Sequence, residues 1–259
     1  MINENPIGLF DSGIGGTSIW KEVHALMPYE NTIYLADSKN APYGLKSKDE
    51  IIALSCKNTE FLLENNCKII VVACNTATTN AIKELRAKYD VPFIGIEPAI
   101  KPAALQSKTQ KIGILATKGT LNSELFHKSV ANHPDVTIIE QIGHGLVQLI
   151  ENGDMNSAEM EELLKSYLNP MVEKNIDYLV LGCSHYPYLI PQIKKIIPPQ
   201  IKIIDSGEAV AKQTQKILEQ SHLLNLTNEK SSQIFYTNSE PEVLKTILGN
   251  CENVIYKNF

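Results

Sequence analysis

Arginine is almost missing from this chain of 259 residues: of its 24 basic residues only Arg86 is arginine, and the other 23 are lysine. Guanidinium forks grip carboxylates through two parallel hydrogen bonds, so a substrate clamp of that kind is disfavoured. Basic excess is missing as well. The 24 basic residues face 29 acidic ones, for a net charge of -5, and nothing here would drive binding to a phosphate backbone. Long apolar runs are absent. The longest span several residues, against the roughly 20 a membrane helix needs. The opening Met1-Ile2-Asn3-Glu4-Asn5-Pro6 has neither the positive nor the apolar region of a signal peptide. The expectation is a cytoplasmic protein with no nucleic acid or membrane partner. Cysteine is present five times, at Cys56, Cys67, Cys74, Cys183 and Cys251. The odd count, long spacings and lack of a CxxC pair argue against a disulfide framework or a zinc site.

What is present is an alternation. Short apolar runs at residues 7–10, 32–36, 69–73, 93–96, 111–116, 136–139, 178–181 and 201–204 read as strands. Most are separated by amphipathic segments, such as Ile52, Cys56, Thr59, Leu62 and Leu63 at helical spacing. Continuous apolar strands alternating with helices predict an α/β fold with mostly parallel sheets covered by helices. At about 150 residues per domain the length allows one large domain or two small ones. Eight strands allow one sheet or two of about four. Two features favour two. Residues 97–108, with Pro98, Pro102 and a polar stretch, read as a crossing between units. The sequence also echoes itself: an apolar strand ends in Cys74-Asn75-Thr76, another in Cys183-Ser184-His185, and Asp-Ser-Gly follows a strand at 11–13 and at 205–207.

Ligands of open parallel sheets sit beyond the carboxyl ends of strands, and three motifs fall there. Asp11-Ser12-Gly13-Ile14-Gly15-Gly16 is not a dinucleotide fingerprint, because Ser18 stands where the third glycine belongs, and no GK[ST] follows to make a P-loop. It is either a turn whose backbone N–H groups reach a small anion or a tight turn capped by Asp11 or Ser12. Cys74-Asn75-Thr76 puts a thiol at a helix start, where the dipole and free N–H groups lower its pKa; a buried structural cysteine is the alternative. Cys183-Ser184-His185-Tyr186-Pro187 has the same setting, with a histidine able to polarise the thiol or act as acid and base, or merely to pack.

Together the two thiols point further. If two sheets face one another, one thiol lies on each side of a shared cleft. Paired acid/base groups on opposite faces of one carbon suit stereoinversion at a C–H centre. A Cys183–His185 thiol hydrolase or transferase would leave Cys74 unexplained, and a non-catalytic anion binder would leave both unexplained. Cys56, Cys67 and Cys251 read as structural, the last in a polar tail. His24, His127, His133, His144 and His222 show no metal-ligand spacing. No lysine has a Schiff-base setting. No cofactor and no metal are expected.

Six motifs in order, IGLFDSGIGG at 7–16, APYG at 41–44, VACNTAT at 72–78, ILATKGT at 114–120, LGCSHYP at 181–187 and DSGEAVA at 205–211, make the chain resemble the glutamate racemases of the aspartate/glutamate racemase superfamily over essentially its whole length. The resemblance implies cofactor-independent interconversion of L- and D-glutamate, supplying peptidoglycan. It implies two similar α/β domains, residues 1–97 with about 207–259 and residues 98–206, with the active site between them. It makes Cys74 and Cys183 the acid/base thiols, acting on D- and L-glutamate respectively. Asp11 assists the first thiol and His185 the second. It names Asp11, Ser12, Tyr43, Gly44, Asn75, Thr76, Ser184 and His185 as substrate contacts, adds the hydroxyls of Thr117 and Thr120, and matches Glu151 to a glutamate near the histidine. Members are often homodimers. Ser184 departs from the threonine of many members but keeps the hydroxyl. His185 stands where members acting on aspartate tend to carry an acid, which favours glutamate over the close competitor, an aspartate racemase. Arg86, on a helix expected over residues 81–88, should point away from the cleft, leaving backbone N–H groups, hydroxyls and Asn75 to hold the substrate.

Overall fold

A computed structural model of the chain describes residues 4–227 and 229–259. Met1, Ile2 and Asn3, part of the stretch read above for a signal peptide, lie outside the described residues. The strands are β1 (Ile7–Asp11), β2 (Thr32–Ala36), β3 (Ile69–Val72), β4 (Phe93–Gly95), β5 (Lys111–Ala116), β6 (Thr137–Ile142), β7 (Tyr178–Gly182), β8 (Lys202–Ile204), β9 (Gln233–Thr237) and β10 (Val254–Tyr256). The helices are α1 (Thr17–Leu26), α2 (Lys48–Glu64), α3 (Asn75–Lys88), α4 (Ile100–Gln106), α5 (Lys118–Leu121), α6 (Glu124–Ala131), α7 (Leu146–Glu151), α8 (Ala158–Glu173), α9 (Ile190–Ile196), α10 (Gly207–Gln220) and α11 (Glu242–Ile247).

There are two sheets, both parallel throughout. One has six strands in the order β10-β9-β2-β1-β3-β4, the other four in the order β6-β5-β7-β8. Every residue of β1, β2, β3 and β7 is buried, as expected for strands covered on both faces. All eight expected strands form, within one residue of the expected ends except that β6 runs three residues further, to Ile142. β9 and β10 were not expected, so the C-terminal region is not a polar tail. Gln233–Thr237 mixes polar and apolar residues, and Val254–Tyr256 is three residues long, so neither carries a periodic signal of its own; pairing with β2 supplies it. Cys251 accordingly packs partly buried against the core.

The chain leaves the six-stranded side after β4 and returns after β8. Where the two crossings meet, the Ser206 hydroxyl donates to the Glu97 carbonyl, and α10 then packs on α1. The first crossing is not irregular throughout. α4 occupies most of it, because Pro102 sits in the helix's first turn, where its missing N–H costs nothing. The second Asp-Ser-Gly serves only this return: the Asp205 carboxylate accepts from Gly207 N–H at 2.8 Å. The α2 stripe is turned by one residue from expectation. Ile51, Ser55, Asn58, Thr59 and Leu62 are buried, while Ile52, Cys56 and Leu63 are half-buried. A capping box between Ser47 and Glu50 starts that helix.

Candidate active site

The carboxyl ends of β1, β3, β5 and β7 converge on one small cavity. Cys74 and Cys183 both line it, one from each sheet, and both are buried. Ser12, Tyr43, Gly44, Asn75, Thr76, Thr117, Ser184 and His185 share the wall. Two residues named as substrate contacts do not reach it. Asp11 and Thr120 are fully buried behind the wall, Asp11 beneath Ser12 and Thr120 beneath Thr76 and Thr117. Pro42 and Val147 do line the cavity. Sequence reasoning missed them, since neither a loop proline nor an apolar residue in a helix carries a signal that separates packing from site.

Local chemistry explains how each motif is held. The Cys74 sulfur is itself the N-cap of α3 and accepts from Ala77 N–H at 3.4 Å. Despite those donors its pKa is not lowered. Burial and then the Asp11 carboxylate push the Cys74 pKa well above the usual thiol value, outweighing the bonds from Ala77 and Ser12 N–H groups. This reverses the expectation of a lowered pKa, because desolvation of a thiolate costs more than one helix terminus returns. Asn75 is also buried, and neither its side-chain oxygen nor its nitrogen has a partner. Buried amides are normally paired, so this one is held ready for a ligand. Thr76 Oγ1 lies 2.8 Å from Thr117 Oγ1 and 3.3 Å from Thr120 Oγ1, joining the two sheets across the cavity rim. The Tyr43 hydroxyl is turned away, donating to Asp37 and accepting from Asn58, so only its ring and backbone face the site.

The glycine-rich turn is neither an empty anion cradle nor a simple capped turn. Its N–H groups are taken by the protein: Ile14 N–H donates to Glu151 Oε1 at 2.6 Å, and Gly16 N–H to Asp11 Oδ2 at 2.7 Å. The carboxylate it holds is Glu151, from the end of α7. The glycines allow this approach. A Cβ on Gly13 would stand 2.0 Å from Glu151 Oε1, and one on Gly15 would stand 2.1 Å from His185 Nδ1.

Around this turn the charged groups form one buried array. His185 Nε2 lies 2.6 Å from Glu151 Oε1, and its Nδ1 lies 3.8 Å from Cys183 Sγ and 3.8 Å from Asp11 Oδ2. Burial alone would lower the His185 pKa, but hydrogen bonds to Cys183 and Glu151 and the charges of Asp11 and Glu151 raise it well above its usual value. These partners favour the charged ring, whose Nε2 faces both Glu151 Oε1 and, at 3.2 Å, Gly15 N. Asp11 is raised by burial, a shift opposed by His185 and by bonds from Cys74 and Gly16. Ser184 Oγ stands 3.3 Å from each Asp11 oxygen, closing the array between the two sheets.

Arg86 lies outside. It donates to the Phe93 carbonyl at 3.0 Å, past the far end of α3. Among the described residues no three or more His, Cys, Asp or Glu side chains are gathered to hold a metal ion, and no helix is long and apolar enough to cross a membrane. Cys56 and Cys67 pack against the core on the α2 side, away from the cavity.

Residues 17–214 match the family described as Asp/Glu/Hydantoin racemase. The chain is 42% identical over 241 residues to a glutamate racemase of Herpetosiphon aurantiacus, covering 93% of this chain and 95% of that one. Its fold is similar to that of a glutamate racemase isoform of Bacillus anthracis, with a TM-score of 0.89, 30% identity, and 99% and 98% of the two chains covered. It is also similar to a Francisella tularensis glutamate racemase in complex with D-glutamate, with a TM-score of 0.84 at 30% identity and 98% of each chain covered.

Proposed function

The chain belongs to the Asp/Glu/hydantoin racemase family, and on that premise we propose that it interconverts L- and D-glutamate without a cofactor, in the cytoplasm, supplying D-glutamate for peptidoglycan. Two domains, residues 1–97 with 207–259 and residues 98–206, close on the substrate and contribute one thiol each. The observation that carries this reading is that Cys74 and Cys183 line the same cavity from opposite sheets, beside the unpartnered amide of Asn75.

In the forward direction Cys183, as thiolate, removes the α-proton of L-glutamate. The Cys74 thiol returns a proton to the opposite face. The reverse reaction exchanges the roles, with Cys74 acting on D-glutamate. Asp11 assists Cys74, and His185 assists Cys183 through Nδ1. Glu151 holds His185 in place and in its charged form. Asn75, Ser12, Thr76, Thr117 and Ser184, with the backbone at Tyr43 and Gly44, hold the substrate; Thr120 supports Thr76 and Thr117 from behind. The carbanion-like transition state is stabilised by donors fixed before the reaction begins, in a closed cavity whose low dielectric strengthens them.

The test is incubation of the purified protein with either glutamate enantiomer in heavy water, with no cofactor added. Racemization should proceed with deuterium entering at the α-carbon. Exchange on aspartate but not on glutamate would move the reading to an aspartate racemase. Thioester cleavage without exchange on any amino acid would favour a Cys183–His185 hydrolase.

A further inference from the structure

Each turnover of a two-thiol racemase leaves its protons in the wrong places. After L-glutamate becomes D-glutamate, Cys183 carries the proton and Cys74 is the thiolate, and the next L-glutamate needs the reverse. This inference rests on the two-thiol reading above. A buried path runs between the two sulfurs. Cys74 Sγ lies 3.7 Å from Ser12 Oγ, which in turn lies 3.4 Å from Asp11 Oδ1. Ser184 Oγ lies 3.3 Å from both Asp11 oxygens and 3.4 Å from His185 Nδ1. His185 Nδ1 lies 3.8 Å from Cys183 Sγ. Direct passage from His185 Nδ1 to Asp11 Oδ2 would cross 3.8 Å, too far for an N–H···O bond. The Ser184 hydroxyl fills that gap, and a hydroxyl donates and accepts at once. Asp11, Ser184 and His185 are each no more than 2% exposed, so bulk water does not interrupt the path.

We propose that Ser184 is the central link of an internal proton relay, Cys183–His185–Ser184–Asp11–Ser12–Cys74, that resets the free enzyme between turnovers. In one passage the Cys183 S–H bond breaks and its proton refills His185 Nδ1. Nδ1 passes its own proton to Ser184 Oγ, Ser184 passes one to Asp11, Asp11 passes one to the Ser12 hydroxyl, and Ser12 passes one to the Cys74 thiolate. One S–H bond is lost and one is formed. His185, Ser184, Asp11 and Ser12 recover their starting protonation, and nothing is oxidised or reduced. The opposite passage resets the enzyme after D-glutamate is consumed.

The test is tracer perturbation on the whole protein and on Ser184→Ala and Ser184→Thr. Labelled glutamate is brought to equilibrium between its enantiomers, and a large excess of one unlabelled enantiomer is added. When the free enzyme resets more slowly than it turns over, the labelled ratio shifts transiently from equilibrium. The unaltered protein and Ser184→Thr should show no such shift, and Ser184→Ala should show one. A change in substrate affinity alone does not produce that shift. The proposal is overturned if Ser184→Ala behaves as the unaltered protein does, or if the unaltered protein already shows the full shift. It is also overturned if Ser184→Ala has no turnover in either direction, since the hydroxyl would then belong to the chemical step itself. Absence of glutamate racemization by the unaltered protein overturns the underlying reading instead.

Discussion

Glu151 Oε1 stands 2.6 Å from His185 Nε2 and 2.6 Å from Ile14 N. One carboxylate oxygen thus fixes the imidazolium on the four-stranded side and the glycine-rich turn on the six-stranded side. Its other oxygen accepts from the Ser38 hydroxyl at 2.7 Å. The same carboxylate thus touches both sides of the cavity and contributes to raising the His185 pKa.

Glu151→Gln keeps the shape but removes the charge that helps raise the His185 pKa. Turnover should fall by about a hundredfold, the low end of what a positioned acid or base contributes, and the pH–rate profile should shift toward lower pH. The linkage has a definite sign. A histidine with a raised folded pKa contributes stability that is complete below its ordinary value of 6.5 and is lost as pH climbs through the raised value. Asp11, raised from 3.8, acts in the same direction over its own lower window. Thermal melts should therefore show Tm falling toward alkaline pH in the unaltered protein, with a shallower fall in Glu151→Gln. Equal slopes would refute this account of the latch.

Gly15→Ala forces a methyl to within 2.1 Å of His185 Nδ1. The ring must move by about an ångström, and displacements of that size cost about a hundredfold in rate. Circular dichroism should report an unchanged fold while activity drops. Retention of full activity would mean that His185 does not need its present position.

Asn75→Leu removes a buried amide that has no partner in the closed structure. Leaving a buried polar group unsatisfied costs about 1–3 kcal/mol, so the variant should melt no lower than the parent without substrate. Its KM for glutamate should rise sharply. A lower Tm with an unchanged KM would assign Asn75 to the fold rather than to the ligand.

Cys74→Ser and Cys183→Ser should each abolish racemization in both directions, because either direction uses both sulfurs. Initial rates by polarimetry from each pure enantiomer decide this. Substantial activity in either variant would rule out the two-thiol mechanism.

The sequence alone determined the alternation of strands and helices, because β1, β2, β3 and β7 are apolar on both faces and stand out against amphipathic helices. It also determined which residues sit at strand ends, and through them Ser12, Cys74, Asn75, Thr76, Cys183, Ser184 and His185 of the cavity wall. The scarcity of arginine already said that the carboxylates must be met by other donors, and Arg86 is indeed occupied elsewhere with Phe93. What only the tertiary structure decided involves partners far apart in the chain. Ile14 and Glu151 are 137 positions apart, so no local pattern could reveal that the glycine-rich turn receives a protein carboxylate. The sign of the Cys74 pKa shift followed from burial beside Asp11, where local reasoning counted only the helix start. β9 and β10 acquire their strand character from β2 and from each other, since short strands with mixed side chains have little periodicity to read.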